Sequence, residues 1–131
     1  MLDLKLFEEF PRRSFAKDEI VIREGEITES LFVLVSGKLQ ILKEALLISE
    51  ISHQGSTFGE VSVLLGREAT ASVVAFEYSE LIEVPEPEKV MKQNPELLFE
   101  VSRLLARRIN WLTEKYAKEM GDWGSSYWKS V

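Results

Sequence analysis

Cysteine is absent from the 131-residue chain, and histidine occurs once, at His53. The first absence excludes a disulfide scaffold, a Cys-ligated zinc or iron–sulfur site and a Cys nucleophile, and it fits a reducing compartment. The second leaves no set of imidazoles to hold a metal. A Ser-His-Asp triad would have to use His53, which stands beside the turn residues Gln54-Gly55 and reads as a solvated turn histidine. Basic residues are also scarce. Lys and Arg number 16 against 22 Asp and Glu, for a net charge of −6. A nucleic-acid binder usually carries a basic surface. Here the only basic cluster is Arg103, Arg107 and Arg108.

Long apolar runs are missing too. None approaches the roughly 18 residues of a membrane span. The start, MLDLKLFEEF, lacks the basic-then-apolar order of a signal peptide. The reading is a cytoplasmic protein with no membrane partner. No Walker A or GxGxxG pattern occurs; Gly37-Lys38 is followed by Leu39 and reads as a turn. Carboxylates are plentiful at Glu8-Glu9, Glu24/Glu26 and Glu86/Glu88, yet they fall on turns and helix faces. No spacing isolates a general acid/base pair, and the chain is not expected to be an enzyme.

What is present is a soluble globular mix, 45% hydrophobic and 29% charged. At this length a chain buries roughly two-thirds of its unfolded surface without staples. Leu2, Leu6, Phe7 and Phe10 recur at helical spacing before Pro11, which predicts a short N-terminal helix. Glu19–Arg23, Ser30–Val35, Lys38–Lys43, Leu46–Ser52, Thr70–Ala75 and Glu80–Val84 are short and rich in Val, Ile and Leu. Glycines punctuate them, so an antiparallel sandwich or barrel is expected. No helical stretch separates successive strands, which excludes a doubly wound sheet.

After Pro85 and Pro87 the pattern turns helical again. Glu88–Gln93 predicts a short helix, and Asn94-Pro95 a helix start. From there Leu98, Val101, Leu105, Ile109, Leu112 and Tyr116 predict one long helix ending near Gly121. That stripe suits packing on the barrel or a homodimer seam, and periodicity alone does not separate them. Residues 1–121 then form one domain, and 122–131 an aromatic tail with Trp123, Tyr127 and Trp128, expected to dock on the barrel or a neighbour. Only a short tail follows Gly121, so no DNA-binding helix-turn-helix module is expected.

One segment carries a chemical signal: Phe58-Gly59-Glu60-Val61-Ser62, then Arg67-Glu68-Ala69-Thr70-Ala71-Ser72-Val73. Gly59 precedes a single apolar turn whose first backbone N–H groups are free to meet an anion. Small residues at Ala69, Thr70 and Ala71 let a ligand approach the backbone, Thr70 can donate a hydroxyl, and Glu60 can accept from vicinal sugar hydroxyls. The same segment also reads as a plain helical turn between two strands, capped by Glu60.

Two motifs in order resemble the cyclic nucleotide-binding domain family, of the catabolite-activator and cyclic-AMP-dependent-kinase regulatory-subunit type. Gly25 through Leu39 is similar to the family's early strands, and Gly55 through Val73 resembles its phosphate-binding cassette. The resemblance implies a mainly β fold, an eight-stranded β roll (double-stranded β-helix or jelly roll) with flanking helices. It implies Glu60 at the ribose 2′-hydroxyl, backbone N–H groups near Val61 and Ala71 with the Thr70 hydroxyl at the phosphate, and the helix around Asn110 to Glu114 near the base. No cofactor is expected; cyclic AMP or cyclic GMP is the ligand implied.

The cassette arginine that pairs with the phosphate would stand immediately before Thr70, where this chain has Ala69. Losing two charge-assisted hydrogen bonds of roughly 1.5–3 kcal/mol each removes about two to four decades of affinity. Arg67, two residues earlier, either reaches the same phosphate or is a solvated loop arginine beside Glu68. The resulting expectation is a regulatory domain that senses a cyclic nucleotide or related phosphate and signals through its C-terminal helix to a protein partner. The alternative is a ligand-independent interaction module of the same fold.

Overall fold

The computed structural model describes residues 3–129, with side chains described for 3–120. The chain divides into two compact units, Met1–Pro95 and Glu96–Val131.

The first unit holds eight strands: β1 (Arg12–Phe15), β2 (Ile20–Ile22), β3 (Leu31–Ser36), β4 (Leu39–Lys43), β5 (Leu46–Ile51), β6 (Thr57–Phe58), β7 (Ser72–Ala75) and β8 (Ser79–Val84). They form two antiparallel four-stranded sheets, ordered β1-β8-β3-β6 and β2-β7-β4-β5. The expected mainly β roll is therefore present, and all six strands read from the sequence are in it. The inner faces meet in one core: Phe15, Phe32, Leu34, Phe58 and Leu81 come from the first sheet, Ile22, Leu39, Val73 and Ala75 from the second. Phe58 stacks on Phe32 with ring centroids 6.2 Å apart, and Phe15 meets Phe32 edge-on at 6.5 Å. Such pairs add to area burial and fix the rings' orientation.

Two strands, β1 and β6, escaped the sequence pattern. β1 is Arg-Arg-Ser-Phe, an edge strand whose only buried residue is Phe15. Ion pairs Arg12–Glu80 (3.1 Å) and Arg13–Glu83 (3.0 Å) tie it to β8 in place of apolar alternation. β6 is two residues long. The N-terminal helix is a 3₁₀ turn, Leu4–Phe7, started by the Asp3 carboxylate accepting from the Lys5 amide. Four residues are too few for a helix to stand without caps.

Helix α1 (Glu60–Leu65) bridges β6 and β7, and α2 (Pro87–Gln93) follows β8. The second unit is helix α3, Pro95–Lys129. It starts at the expected proline and passes the expected end at Gly121. A single glycine in a helix interior costs about 1 kcal/mol and does not forbid continuation. Among the described side chains of α3, Leu97, Val101 and Leu104 are buried, whereas Leu98, Ile109, Leu112 and Tyr116 of the expected stripe are exposed. The expected docking of Trp123, Tyr127 and Trp128 concerns side chains outside the described residues. Among the described residues no helix is long and apolar enough to cross a membrane.

Candidate functional site

The segment from Phe58 to Ala71 is built by two glycines and a backbone clamp. Phe58 pairs with Phe32 across β6 and β3, which anchors the segment in the core. The chain then turns at Gly59, with φ 95°. A Cβ there would lie 2.8 Å from the Ser30 carbonyl oxygen, so the position takes glycine for its conformation and its space alike. Gly59 is the N-cap of α1, and Gly66, also left-handed, ends the helix by donating its amide to the Ser62 carbonyl.

The loop after α1 is held by the β2–β3 loop. The Gly25 amide donates to the Ala69 carbonyl (2.9 Å), and the Ala69 amide donates to the Glu26 carbonyl (2.8 Å). The Glu24 amide donates to the Ser72 hydroxyl at 2.9 Å. Reciprocal bonds of this kind fix two loops against each other, and they use both backbone groups of Ala69. Its methyl group packs against the core cluster. The amides of Thr70 and Ala71 make no hydrogen bond among the described residues.

These elements enclose a cavity of about 120 Å³. Phe58, Gly59, Glu60, Val61 and Ser62 line one side, Ala69, Thr70 and Ala71 another, with Ile22, Ile41 and Val73 beneath. The structure thus brings together every residue expected at the site except Arg67. Glu60 is the one charged residue in the lining, and no cation stands there. The volume lies below the ~300 Å³ at which small-molecule pockets usually begin.

Arg67 is exposed and lines an adjoining cleft of about 520 Å³ with Glu24, Lys43 and Glu68. Cleft and cavity share Val61, Ala69 and Thr70. Within the cleft the Glu24 carboxylate accepts from the Glu44 amide (2.9 Å) and from Lys43 Nζ (3.3 Å). The Glu44 amide holds the Glu24 carboxyl below its ordinary range; desolvation opposes it, and Lys43 adds smaller lowering contributions. Lys43 is thereby neutralised, and Arg67 carries no ion pair among the described residues. His53 lies exposed in the β5–β6 turn, where its carbonyl accepts from the Ser56 amide. No group of three or more potential ligands is placed to hold a metal among the described residues.

Sequence reasoning missed the clamp. Gly25 and Glu26 stood out as part of a motif, but nothing in their spacing names Ala69 as their partner. It also missed that Ser62 lines a second hollow, a groove of about 680 Å³ formed with the β2–β3 loop and α2.

Comparison with known proteins agrees with this architecture. The Thermus thermophilus cyclic AMP receptor protein is 28% identical over 106 residues, covering 76% of this chain and 49% of its own length. The lysophospholipase NTE1 of Saccharomyces cerevisiae is 27% identical over 109 residues, 70% of this chain but 6% of its own. The chain therefore spans half or less of these relatives. In three dimensions the Thermus thermophilus catabolite activator protein superposes with a TM-score of 0.73 at 24% identity, covering 86% of this chain and 55% of that one. The family model for the cyclic nucleotide-binding domain matches residues 12–91, from β1 through the cassette into α2. With two motifs, the eight-stranded roll and that match in agreement, the chain belongs to the cyclic nucleotide-binding domain family.

Proposed function

We propose that this is a regulatory domain of the family that acts through protein contacts without tightly holding a cyclic nucleotide. The observation that carries the reading is the cassette cavity: about 120 Å³, lined by one carboxylate and no cation, with Ala69 in its wall. A cyclic phosphate entering it would give up hydration without gaining a charge-assisted partner, and Glu60 would repel it. The chain binds and does not catalyse. Its output runs through exposed surface, including the Ile109, Trp111, Leu112 and Tyr116 side chains of α3.

The sensor reading keeps one specific support. The Thr70 and Ala71 amides are unbonded among the described residues, and Arg67 stands in the cleft that adjoins them. In that reading Glu60 holds the ribose, the Val61 and Ala71 amides with Thr70 meet the phosphate, and Arg67 replaces the cassette arginine.

Isothermal titration of ligand-stripped protein with cyclic AMP and then cyclic GMP separates the two. The expected result is no saturable heat up to about 1 mM, with Ala69→Arg gaining roughly two to four decades of affinity. Saturation of the unaltered chain at micromolar ligand, lost in Arg67→Ala, would establish the sensor instead.

A further inference from the structure

The first unit carries a hollow larger than the cassette cavity: the groove of about 680 Å³ between the β2–β3 loop, α1 and α2. We propose that this groove docks an extended segment of a partner protein in which a lysine or arginine flanks an apolar side chain.

Four observations point there. First, its size falls within the ~300–1,000 Å³ of ordinary ligand sites. Second, it has an apolar stretch formed by Ile27, Val63 and Pro87, and Ile27 is 62% exposed although it follows the clamped Gly25-Glu26. Third, its charge is unbalanced. Glu88 and Lys92 neutralise each other at 2.9 Å. Glu29, from the β2–β3 loop, and Glu86, from the N-cap of α2, are exposed and have no ion pair among the described residues. Lys89 alone opposes them, so the groove is left acidic on a chain of net charge −6. Acidic surface attracts a basic partner and repels phosphate-bearing ones.

Fourth, a residue shared by the groove and the cassette cavity carries a buried polar atom without a partner. Ser62 is 5% exposed, lines the groove, and its hydroxyl has no hydrogen bond among the described residues. A buried hydroxyl without a partner carries a desolvation cost, which a carbonyl of a docked backbone would relieve. The backbone at the rim is also unusual. Glu86 is held at φ 45°, a conformation that L residues adopt at a cost of about 1–2 kcal/mol. Strain of this kind gathers where a side chain must be presented in one place.

The docking segment is thus recognised by an apolar side chain against Ile27, Val63 and Pro87, by its cation against Glu29 and Glu86, and by a main-chain carbonyl at Ser62. The proposal does not depend on whether a nucleotide occupies the cassette cavity.

The test titrates the full ¹⁵N-labelled chain with three probes: acetyl-GRLRG-amide, acetyl-GELEG-amide and acetyl-GRGRG-amide. The first is expected to shift the amides of Ile27, Ser62, Val63 and Lys89 saturably below about 1 mM, and the other two to bind at least about tenfold more weakly. The double variant Glu29→Gln, Glu86→Gln changes two exposed side chains and keeps the fold, which its unchanged spectrum reports directly. It is expected to weaken the first probe about three- to tenfold. Absence of saturable shifts at millimolar probe, shifts away from the groove, or equal binding of the acidic probe would overturn the proposal. Cyclic AMP added alone distinguishes the two readings. Shifts at Gly59, Thr70 and Ala71, with Ile27 and Lys89 unmoved, would contradict the function proposed above and leave the groove proposal standing.

Discussion

Gly37 stands where β3 passes into β4, at φ 106°, and a Cβ there would lie 2.6 Å from the Ser79 Cα. Ser79 is fully buried and ties this turn to the one between β7 and β8: the Lys38 amide donates to its hydroxyl at 3.2 Å, and the hydroxyl donates to the Glu77 carbonyl at 2.9 Å. Gly37→Ala must therefore strain the backbone and push apart a sheet that has no room to yield. A loss of about 2–4 kcal/mol is expected in urea unfolding. Gly66 is the internal control, because its φ is also positive but nothing lies within 4 Å of a Cβ there. Gly66→Ala is expected to cost only about 1 kcal/mol. Equal losses at the two positions would show that the Ser79 contact carries no weight.

The β4–β5 hairpin shows the same logic at the scale of an element. Its turn residues, Glu44 and Ala45, are both left-handed (φ 51° and 67°), in a position that usually takes Asn-Gly. The Glu24 carboxylate offsets that strain by accepting from the Glu44 amide and from Lys43. Because this pairing lowers the Glu24 pKa in the folded state, its stabilisation is complete above the ordinary glutamate range. It is lost as pH falls through the lowered value. Glu24→Gln is thus expected to lower Tm at neutral pH, with the difference shrinking as pH falls below the ordinary glutamate range. A difference that stays constant across that range would remove Glu24 from the account.

Helix α3 makes its own prediction. Its apolar side chains at Ile109, Trp111, Leu112 and Tyr116 are exposed, and exposed apolar clusters mark contact surfaces. Sedimentation at tens of micromolar is expected to show self-association that Leu112→Glu abolishes. A monomer throughout would leave that surface to a different protein.

Over the whole molecule, how much could be read in advance follows from how local each signal is. The six strands rich in Val, Ile and Leu declare themselves by composition. β1 does not, because Arg12 and Arg13 hold it through ions on β8, some 70 positions away. The cassette was legible because Phe58–Ser62 and Ala69–Ala71 are near neighbours in sequence. Only the structure shows that Arg67 lines the adjoining cleft and not the cavity that Ala69 helps to form. The groove was illegible for the opposite reason: Ile27, Ser62 and Pro87 come from three separate elements, and only the fold makes them neighbours.

Ser62 belongs to the linings of both the groove and the cassette cavity. One short helix is therefore a party wall between two compartments. Whatever rotates or shifts that wall to suit a tenant on one side alters the room on the other. Linkage makes any such influence mutual: if an occupant of the groove altered the affinity of the cavity, an occupant of the cavity would alter that of the groove by the same factor.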